Sequence, residues 1–500
     1  MLCEDILKTG DSFMNEANLA SLLNNSSTTF SNNIAIIYKD RLIPYQELNR
    51  QVNSFACTLR RLGIKKGDKV AIMLPNIPEF VIAYFGAMKL GAVAVTLNTA
   101  STSYELAYLL DNSDARVFIT IPSSAKRFQD IREDLPFCGH LITTEGTEGD
   151  LSMETMISEE PLESDLPKIS GDDPAVIVYT AGLTGKPLGA VLTHNNLYTQ
   201  SFLVKEICAG NDQDKGLCLI PLFHTFGATA NMLCALNMGA AMVMIDKFNL
   251  ENVFKTIENT RLTYIAAVPR VYLGMLLYED AAKADLTSLR LCITGGSTMP
   301  VDYIHLFEEK FKTKLLEGYG LTEASPVCSF SRLERTHKPG SIGIPVTGVE
   351  AKVVDDKNRD LDSGNVGELV IRGPNVMKGY YRADEKTVEV IIDGWLHTGD
   401  LALIDEDGDI FLKGRKKRMI ITSGFNVYPK EVEQVVAMHE DVKECVVVAK
   451  EDLLRGEVVK AVIVLEKDAT ADDKEIMRHC RQYLSSYKVP REVEFTDRLP

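Results

Sequence analysis

Apolar positions recur at helical spacing through YQELNRQVNSFACTLRRLG, residues 45–63, and then give way to the short apolar run KVAIMLP. A helix followed by a strand is the order this pattern predicts. The alternation repeats in EFVIAYFGAMKLG, which closes on Gly91, then in AVAVTLN and in ARVFIT at Ala115–Thr120. Apolar strands separated by helices predict a parallel sheet covered on both faces. The acidic, polar stretch from Glu145 to Asp173 reads as a surface connection between two such units. The second is expected to run from Ala175 to about Val327, with strands in AAMVMID, YIAAVP and RLCITGG. From Ser341 to Lys413 the texture changes to short strands and turns, EAKVVDD, GELVIRG and GDIFLKG, which predict a small β-rich subdomain. EVEQVVAMHEDVKECVVVAK and KAVIVLEKD then alternate helix and strand again, as a compact α+β domain of about 85 residues would. The expected division is into residues 1–414 and 415–500.

A chain of 500 residues exceeds what one hydrophobic core supports, and 45% hydrophobic with 25% charged residues is ordinary for a soluble globular protein. The longest apolar candidate, Val81 to Val95, is broken by Lys89 and falls short of the roughly 18 residues of a membrane span. The first twenty residues contain Glu4, Asp5, Asp11 and Glu16 and lack an apolar h-region, so a cytoplasmic location is expected. Ten cysteines without a CxxC pair argue against a zinc site or a disulfide framework. With 54 basic against 70 acidic residues the formal charge is -16, which excludes a global nucleic-acid binder despite the run Arg415, Lys416, Lys417, Arg418. Transient contact with an anionic membrane through a local basic patch stays open.

The candidate chemistry begins in VIVYTAGLTGKPLGAVLTHNNL, Val176 to Leu197, where a β-branched strand empties into a loop with Gly182, Gly185 and Gly189. Glycines let backbone N–H groups turn toward a phosphate, and Thr180 and Thr184 add hydroxyl donors. The loop is neither a Walker A motif, since Lys186 is followed by Pro187, nor a GxGxxG. A second segment, LLEGYGLTEASPV from Leu315 to Val327, puts an aromatic ring, a hydroxyl and a carboxylate close together. A third, from Gly394 to Glu433, offers Asp400 as an acceptor for a diol and Arg415 as a forked cation. PLFHTFG (Pro221 to Gly227) and ITGGSTMP (Ile293 to Pro300) are shorter and weaker signals.

Together these segments resemble the signatures of the adenylate-forming family, the acyl-CoA ligases, luciferases and peptide-synthetase adenylation domains, whose first signature has the form YTSGTTGxPKGxxLTH. The similarity runs from YQELN to the closing KVPREVEFTDRLP, and PNVMKGYY, KPGSIG and NVYPKEVE are most similar to AMP-forming fatty or other carboxylic acid:CoA ligases. The resemblance implies an α/β fold: a large N-terminal domain of two α/β subdomains and a small β-rich subdomain, followed by a small mobile α+β C-terminal lid. It implies two half-reactions, adenylation of a carboxylate by ATP with release of pyrophosphate and transfer of the acyl group to CoA with release of AMP, with the reverse direction also open.

Nucleotide contacts are implied for Thr180, Gly182, Thr184, Gly185 and Lys186, and for Gly295, Gly296, Glu317, Gly318, Tyr319, Gly320, Leu321 and Thr322. Asp400, Leu412 and Arg415 complete that set. Tyr319 would stack on adenine, Thr322 bond the α-phosphate, and Thr180 and Glu323 hold Mg²⁺, which prefers oxygen ligands shared with phosphate. Phe223, His224, Phe226, Val268, Gly295 and Gly320 would wall the acyl group, and Ser423, Gly424 and Phe425 the CoA tunnel. The catalytic group implied is Thr322, Glu323 and His224, with Lys417 as hinge; a histidine between phenylalanines is also the pattern of a satisfied core residue. The expected partners are a small carboxylic acid, ATP or AMP, and CoA, with no nucleic acid and a homodimer among the assemblies admitted.

Two departures stand out. Ala181, Leu183 and Leu188 occupy positions where the family has serine, threonine and lysine, and the PKxxxGK segment that follows DRLP in the family would lie beyond Pro500. The leading reading is an acyl-CoA ligase. An adenylase with a non-CoA acceptor is the alternative that CoA consumption would separate, and a non-catalytic acyl-adenylate or nucleotide binder is the alternative that turnover would exclude. Restoring the loop with Ala181→Ser, Leu183→Thr and Leu188→Lys is expected to tighten ATP and pyrophosphate by about 1.5 to 3 kcal/mol per regained charge-assisted contact. AMP affinity should change little, and equal gains for ATP and AMP in titration calorimetry would show that the substitutions act through loop stability instead.

Overall fold

The computed structural model describes residues 18–161, 166–180, 186–245, 248–336, 338, 340–416, 419–452, 454–467 and 469–499. Four sheets organise it. The first has eight strands, and its parallel centre is made by the apolar runs Lys69–Met73, Val93–Thr96, Ala115–Thr120 and Pro174–Thr180. The second has nine, with Lys215–Cys218, Ala241–Met244, Tyr264–Ala267, Leu291–Thr294 and Lys314–Gly320 all parallel.

The sheets do not divide the chain where the acidic stretch suggests. Strand Pro174–Thr180, expected to open the second unit, pairs with Val93–Thr96 in the first sheet. Strand Ile34–Tyr38, from the start of the chain, pairs with Ala241–Met244 in the second. Alternation predicts order along a chain, whereas parallel neighbours are joined through crossovers and need not be consecutive.

A third sheet of five strands is built by Glu350–Val354, Gly367–Arg372, Ile391–Ile392, Trp395–Ile404 and Ile410–Arg415, as the short-strand texture predicts. The fourth belongs to the small C-terminal domain. Its long hairpin Val442–Asp452 and Gly456–Leu465 carries helices Pro429–Val436 and Asp473–Tyr483 over a separate core that includes Val432, Val447, Ile463 and Ile476.

Helix packing in the N-terminal domain follows directly from side-chain size. Helix Tyr45–Arg61 buries Leu48, Val52, Phe55 and Leu59 on one face. It lies so close to helix Pro78–Lys89 that a Cβ on Gly86 would stand 2.6 Å from the Phe55 ring. Helix Pro78–Lys89 is buried almost all round, which carries the Lys89 ammonium into the core. There it donates to the side-chain oxygens of Asn24, Asn49 and Asn53 at 2.7, 2.6 and 2.5 Å. Neutral amides satisfy its protons without opposing its charge, and burial lowers the Lys89 pKa to about 8. Because this folded-state value lies below that of the unfolded chain, near 10.4, only the unfolded state holds the proton between them, so the group's contribution to stability rises with pH across that window. Between pH 8 and 10.5 the stability of the wild-type protein relative to Lys89→Met should therefore rise by up to roughly 3 kcal/mol in thermal unfolding. A difference independent of pH would place the ammonium outside this balance.

Candidate active site

The carboxyl ends of strands from both large sheets meet in one cleft, the place where open α/β sheets hold ligands. Strand Lys314–Gly320 ends there and runs into the short turn Thr322–Ala324, while strand Pro174–Thr180 arrives from the other sheet. The two are joined at Glu323, whose Oε1 accepts from Thr180 Oγ1 at 3.2 Å and from the Tyr380 hydroxyl at 2.9 Å. Tyr380 comes from the short strand Gly379–Tyr380 on the edge of the first sheet. Burial, reinforced by the Glu323 charge, holds its phenol well above the usual range, so it stays a donor.

A second carboxylate lies on the facing wall. Antiparallel pairing of Trp395–Ile404 with Ile410–Arg415 sets Asp400 opposite Arg415, and Arg415 Nε donates to Asp400 Oδ1 at 2.8 Å. The Tyr319 hydroxyl donates to Asp400 Oδ2 at 2.5 Å, so both oxygens are engaged. Burial raises the Asp400 pKa in spite of the guanidinium beside it, and burial together with the Asp400 charge holds the Tyr319 phenol well above its usual range.

These groups border a cavity of about 460 Å³. Its floor is glycine by necessity: a Cβ on Gly318 would stand 2.7 Å from the Phe330 ring, and one on Gly320 only 1.8 Å from the Pro326 carbonyl oxygen. Gly295, Gly296, Leu321 and Thr322 complete that side. A second cavity of about 430 Å³, walled mainly by apolar side chains such as Leu219, Phe248, Val268 and Val271, opens beside the first. His224, Phe226, Gly296 and Gly424 border both. His224 Nδ1 accepts the Phe226 N–H at 3.2 Å, and burial lowers the ring's pKa to about 4. The imidazole is therefore neutral near pH 7 and carries its proton on Nε2.

The C-terminal domain closes the second cavity. Strands Ile420–Thr422 and Phe425–Val427 form a hairpin whose turn residues Ser423 and Gly424 have φ of +53° and +86°. A Cβ on Gly424 would come within 2.7 Å of the Val268 side chain, and Ser423 Oγ accepts from Arg270 at 3.3 Å.

Several expected residues stand elsewhere. The Lys186 ammonium lies 5.8 Å from the centre of the Tyr108 ring and does not border the cavity. Leu412 and Phe223 pack against the main core instead. Glu317, one position before the glycine floor, is buried and accepts the Met299 N–H at 3.2 Å, and burial raises its pKa to about 7. Leu188, where the resemblance leads one to expect lysine, puts an apolar side chain on the cavity wall. Gly182, Thr184, Gly185 and Lys417 lie outside the described residues. Sequence reasoning missed Tyr380, Tyr428, His397 and Glu368, all on the cavity wall. Tyr380 stands within the quoted PNVMKGYY, but nothing local marks its hydroxyl as a partner of Glu323.

Residues 23–381 match the AMP-binding enzyme family, and residues 431–500 match the AMP-binding enzyme C-terminal domain. The chain belongs to the AMP-binding enzyme family. It is 34% identical to the long-chain-fatty-acid–CoA ligase of Bacillus subtilis (strain 168), covering 96% of this chain and 91% of that protein. It is 36% identical to the feruloyl-CoA synthase of an Amycolatopsis species, covering 93% and 92%. Among solved structures, an o-succinylbenzoate CoA synthetase double mutant from Bacillus subtilis, bound with its product analogue, superposes with a TM-score of 0.85 at 28% identity, over 96% of this chain and 95% of that one. This member of the family is an AMP-forming acyl-CoA ligase, an enzyme rather than a non-catalytic nucleotide binder. Among the described residues no helix is long and apolar enough to cross a membrane.

The glycine floor of the cleft is directly testable. Gly320→Ala should lower stability by about 1 to 3 kcal/mol, because the new methyl group meets backbone rather than a side chain that can move. Gly139→Ala is the control, since a Cβ there meets nothing within 4 Å. Equal melting temperatures for the two variants would show that the floor can give way.

Proposed function

We propose that the first cavity holds the adenylate of an apolar carboxylic acid, aromatic or fatty, and that the second admits the thiol arm of CoA. The observation that carries this reading is that a cavity bordered by the Glu323 and Asp400 carboxylates and a second, more apolar one share His224, Phe226, Gly296 and Gly424 as a common border. An acyl-adenylate formed in the first then lies within reach of a thiol arriving through the second. The acid carboxylate attacks the α-phosphorus and pyrophosphate leaves; the thiolate sulfur then attacks the acyl carbonyl and AMP leaves. Neither step needs a protein nucleophile, so the protein's share is position and charge.

In this reading Asp400 and Arg415 face the ribose, with an Asp400 oxygen passing from the Tyr319 hydroxyl to a ribose hydroxyl. Gly295, Gly296 and Gly318 let the nucleoside approach the backbone, and Thr322 and Thr180 face the phosphates. Phe226 and Val327 flank the acid on the cavity wall. His224, neutral and protonated on Nε2, donates a hydrogen bond at the border of the two cavities. Mg²⁺ fits the donor set of Glu323 and Thr180, a carboxylate and a hydroxyl in contact beside the phosphate loop; when bound with ATP it neutralises phosphate charge. Among the described residues no three acidic, histidine or cysteine side chains form a closed metal cage.

The acid is identified by incubating the protein with ATP, CoA and a panel of short, medium, long-chain and aromatic acids and measuring acid-dependent AMP release and thioester formation. Thioester with apolar members of the panel is the expected result, and AMP release without CoA consumption would point to a different acceptor. Glu323→Gln, which removes the charge but keeps the shape, should slow acid-dependent pyrophosphate–ATP exchange ten- to a hundredfold and raise the Mg²⁺ concentration it requires. A variant equal to the wild type at limiting Mg²⁺ would remove Glu323 from that role.

A further inference from the structure

A buried cation joins the C-terminal domain to the N-terminal domain. Lys488 follows helix Asp473–Tyr483 and is 7% exposed. Its ammonium donates to Glu105 Oε1 at 2.8 Å and to Glu431 Oε1 at 2.6 Å. Glu431 lies in the first turn of helix Pro429–Val436 of its own domain, but Glu105 belongs to helix Ser103–Ser113 of the N-terminal domain. The second Glu105 oxygen accepts from Ser485 Oγ at 2.5 Å and from the Thr102 N–H at 3.0 Å. Around this centre Thr102 Oγ1 donates to the Tyr483 carbonyl at 2.9 Å, and the rings of Tyr104 and Tyr483 meet edge to face at 5.3 Å. Burial works against the charge on Lys488, but Tyr487, Glu431 and Glu105 more than offset it and raise the lysine's pKa.

The fastening is connected to the cleft through the preceding residue. The Tyr487 ring stacks on Phe425 at 4.8 Å, and Phe425 follows Gly424 in the hairpin that closes the second cavity. Lys488 itself borders neither cavity. A buried ammonium between two carboxylates adds little net stability over an apolar packing, yet it tolerates no displacement, because moving either partner leaves a charge unpaired. An ion pair of this kind selects one docking geometry.

We propose that Lys488 is a positioning residue for thioester formation: bridging Glu105 and Glu431, it holds the C-terminal domain where Phe425 and Gly424 complete the thiol channel over Val268. Adenylate formation uses groups on the facing wall, Glu323, Asp400 and Arg415, which this bridge does not touch. The inference rests on the ligase reading, and its test separates the two. In the full chain, Lys488→Met and the milder Glu105→Gln are compared with wild type in three measurements. These are acid-dependent pyrophosphate–ATP exchange, single-turnover thioester formation from supplied acyl-adenylate and CoA, and amide hydrogen exchange across Ser103–Ser113 and Asp473–Tyr483. The expected result is thioester formation at least tenfold slower in Lys488→Met and several-fold slower in Glu105→Gln. Pyrophosphate exchange should stay within twofold, and amide exchange of the two helices should quicken in both variants. Equal losses in the two half-reactions, no loss in either, or unchanged amide exchange would overturn the proposal. Absence of pyrophosphate exchange in the wild type with every acid would instead count against the ligase reading, and the amide exchange would then decide by itself whether Lys488 fastens the domain.

Discussion

A carboxylate withdrawn from water must be met by donors, and the cleft between the two large sheets is arranged around two such groups. Glu323 sits at the end of one sheet and takes its hydrogen bonds from Thr180 and Tyr380, both carried by the other. Asp400, only 6% exposed, takes its bonds from Tyr319 in the second sheet and Arg415 in the third. Losing a partner would leave a buried charge or acceptor unpaired, at a cost of several kcal/mol. The relative placement of three sheets is therefore tied to two side chains. With the Phe330 ring against position 318 and Pro326 folded back over position 320, the backbone there has no room for a methyl group.

The same economy of space governs the C-terminal domain. Its approach is limited by the Gly424 turn, where a side chain would collide with Val268, and the polar contacts that hold it include Arg270 to Ser423 and Lys488 to Glu105. Arg270 and Ser423 border the apolar second cavity, which meets the first at His224, Phe226, Gly296 and Gly424. In the proposed assignment a highly charged nucleotide and the uncharged thiol arm of CoA make different demands on a protein surface, and the two cavities meeting at His224 would answer one each. The imidazole there is kept neutral by burial, which avoids placing a charge on the apolar side of the border.

Much of this arrangement was legible in the chain. The signature segments put Thr180, Tyr319, Thr322, Glu323, Asp400 and Arg415 on one list, and the structure brings those residues to one cavity. Helices and strands were legible as well, down to the short-strand texture of the third sheet. Membership of the sheets was not: Pro174–Thr180 and Ile34–Tyr38 each joined the sheet on the other side of the expected boundary. Lys186 was expected to face phosphate, yet its long, flexible stem carries the ammonium to the Tyr108 ring. Tyr380 went unnoticed because its importance lies in reaching Glu323, 57 positions earlier.

The sequence by itself determined which residue types are available for the chemistry, where helices and strands begin, and which family the chain joins, because these depend on local periodicity and on short contiguous motifs. Only the tertiary structure decided which strands are neighbours, which carboxylate oxygens already have donors, and that Lys488 and Glu105 meet across a domain boundary 383 positions apart. Those outcomes depend on burial and on distances between segments remote in the chain. A pattern read along one dimension contains the amphipathic faces but not the partners that cover them, and the strength of every polar contact here is set by those partners.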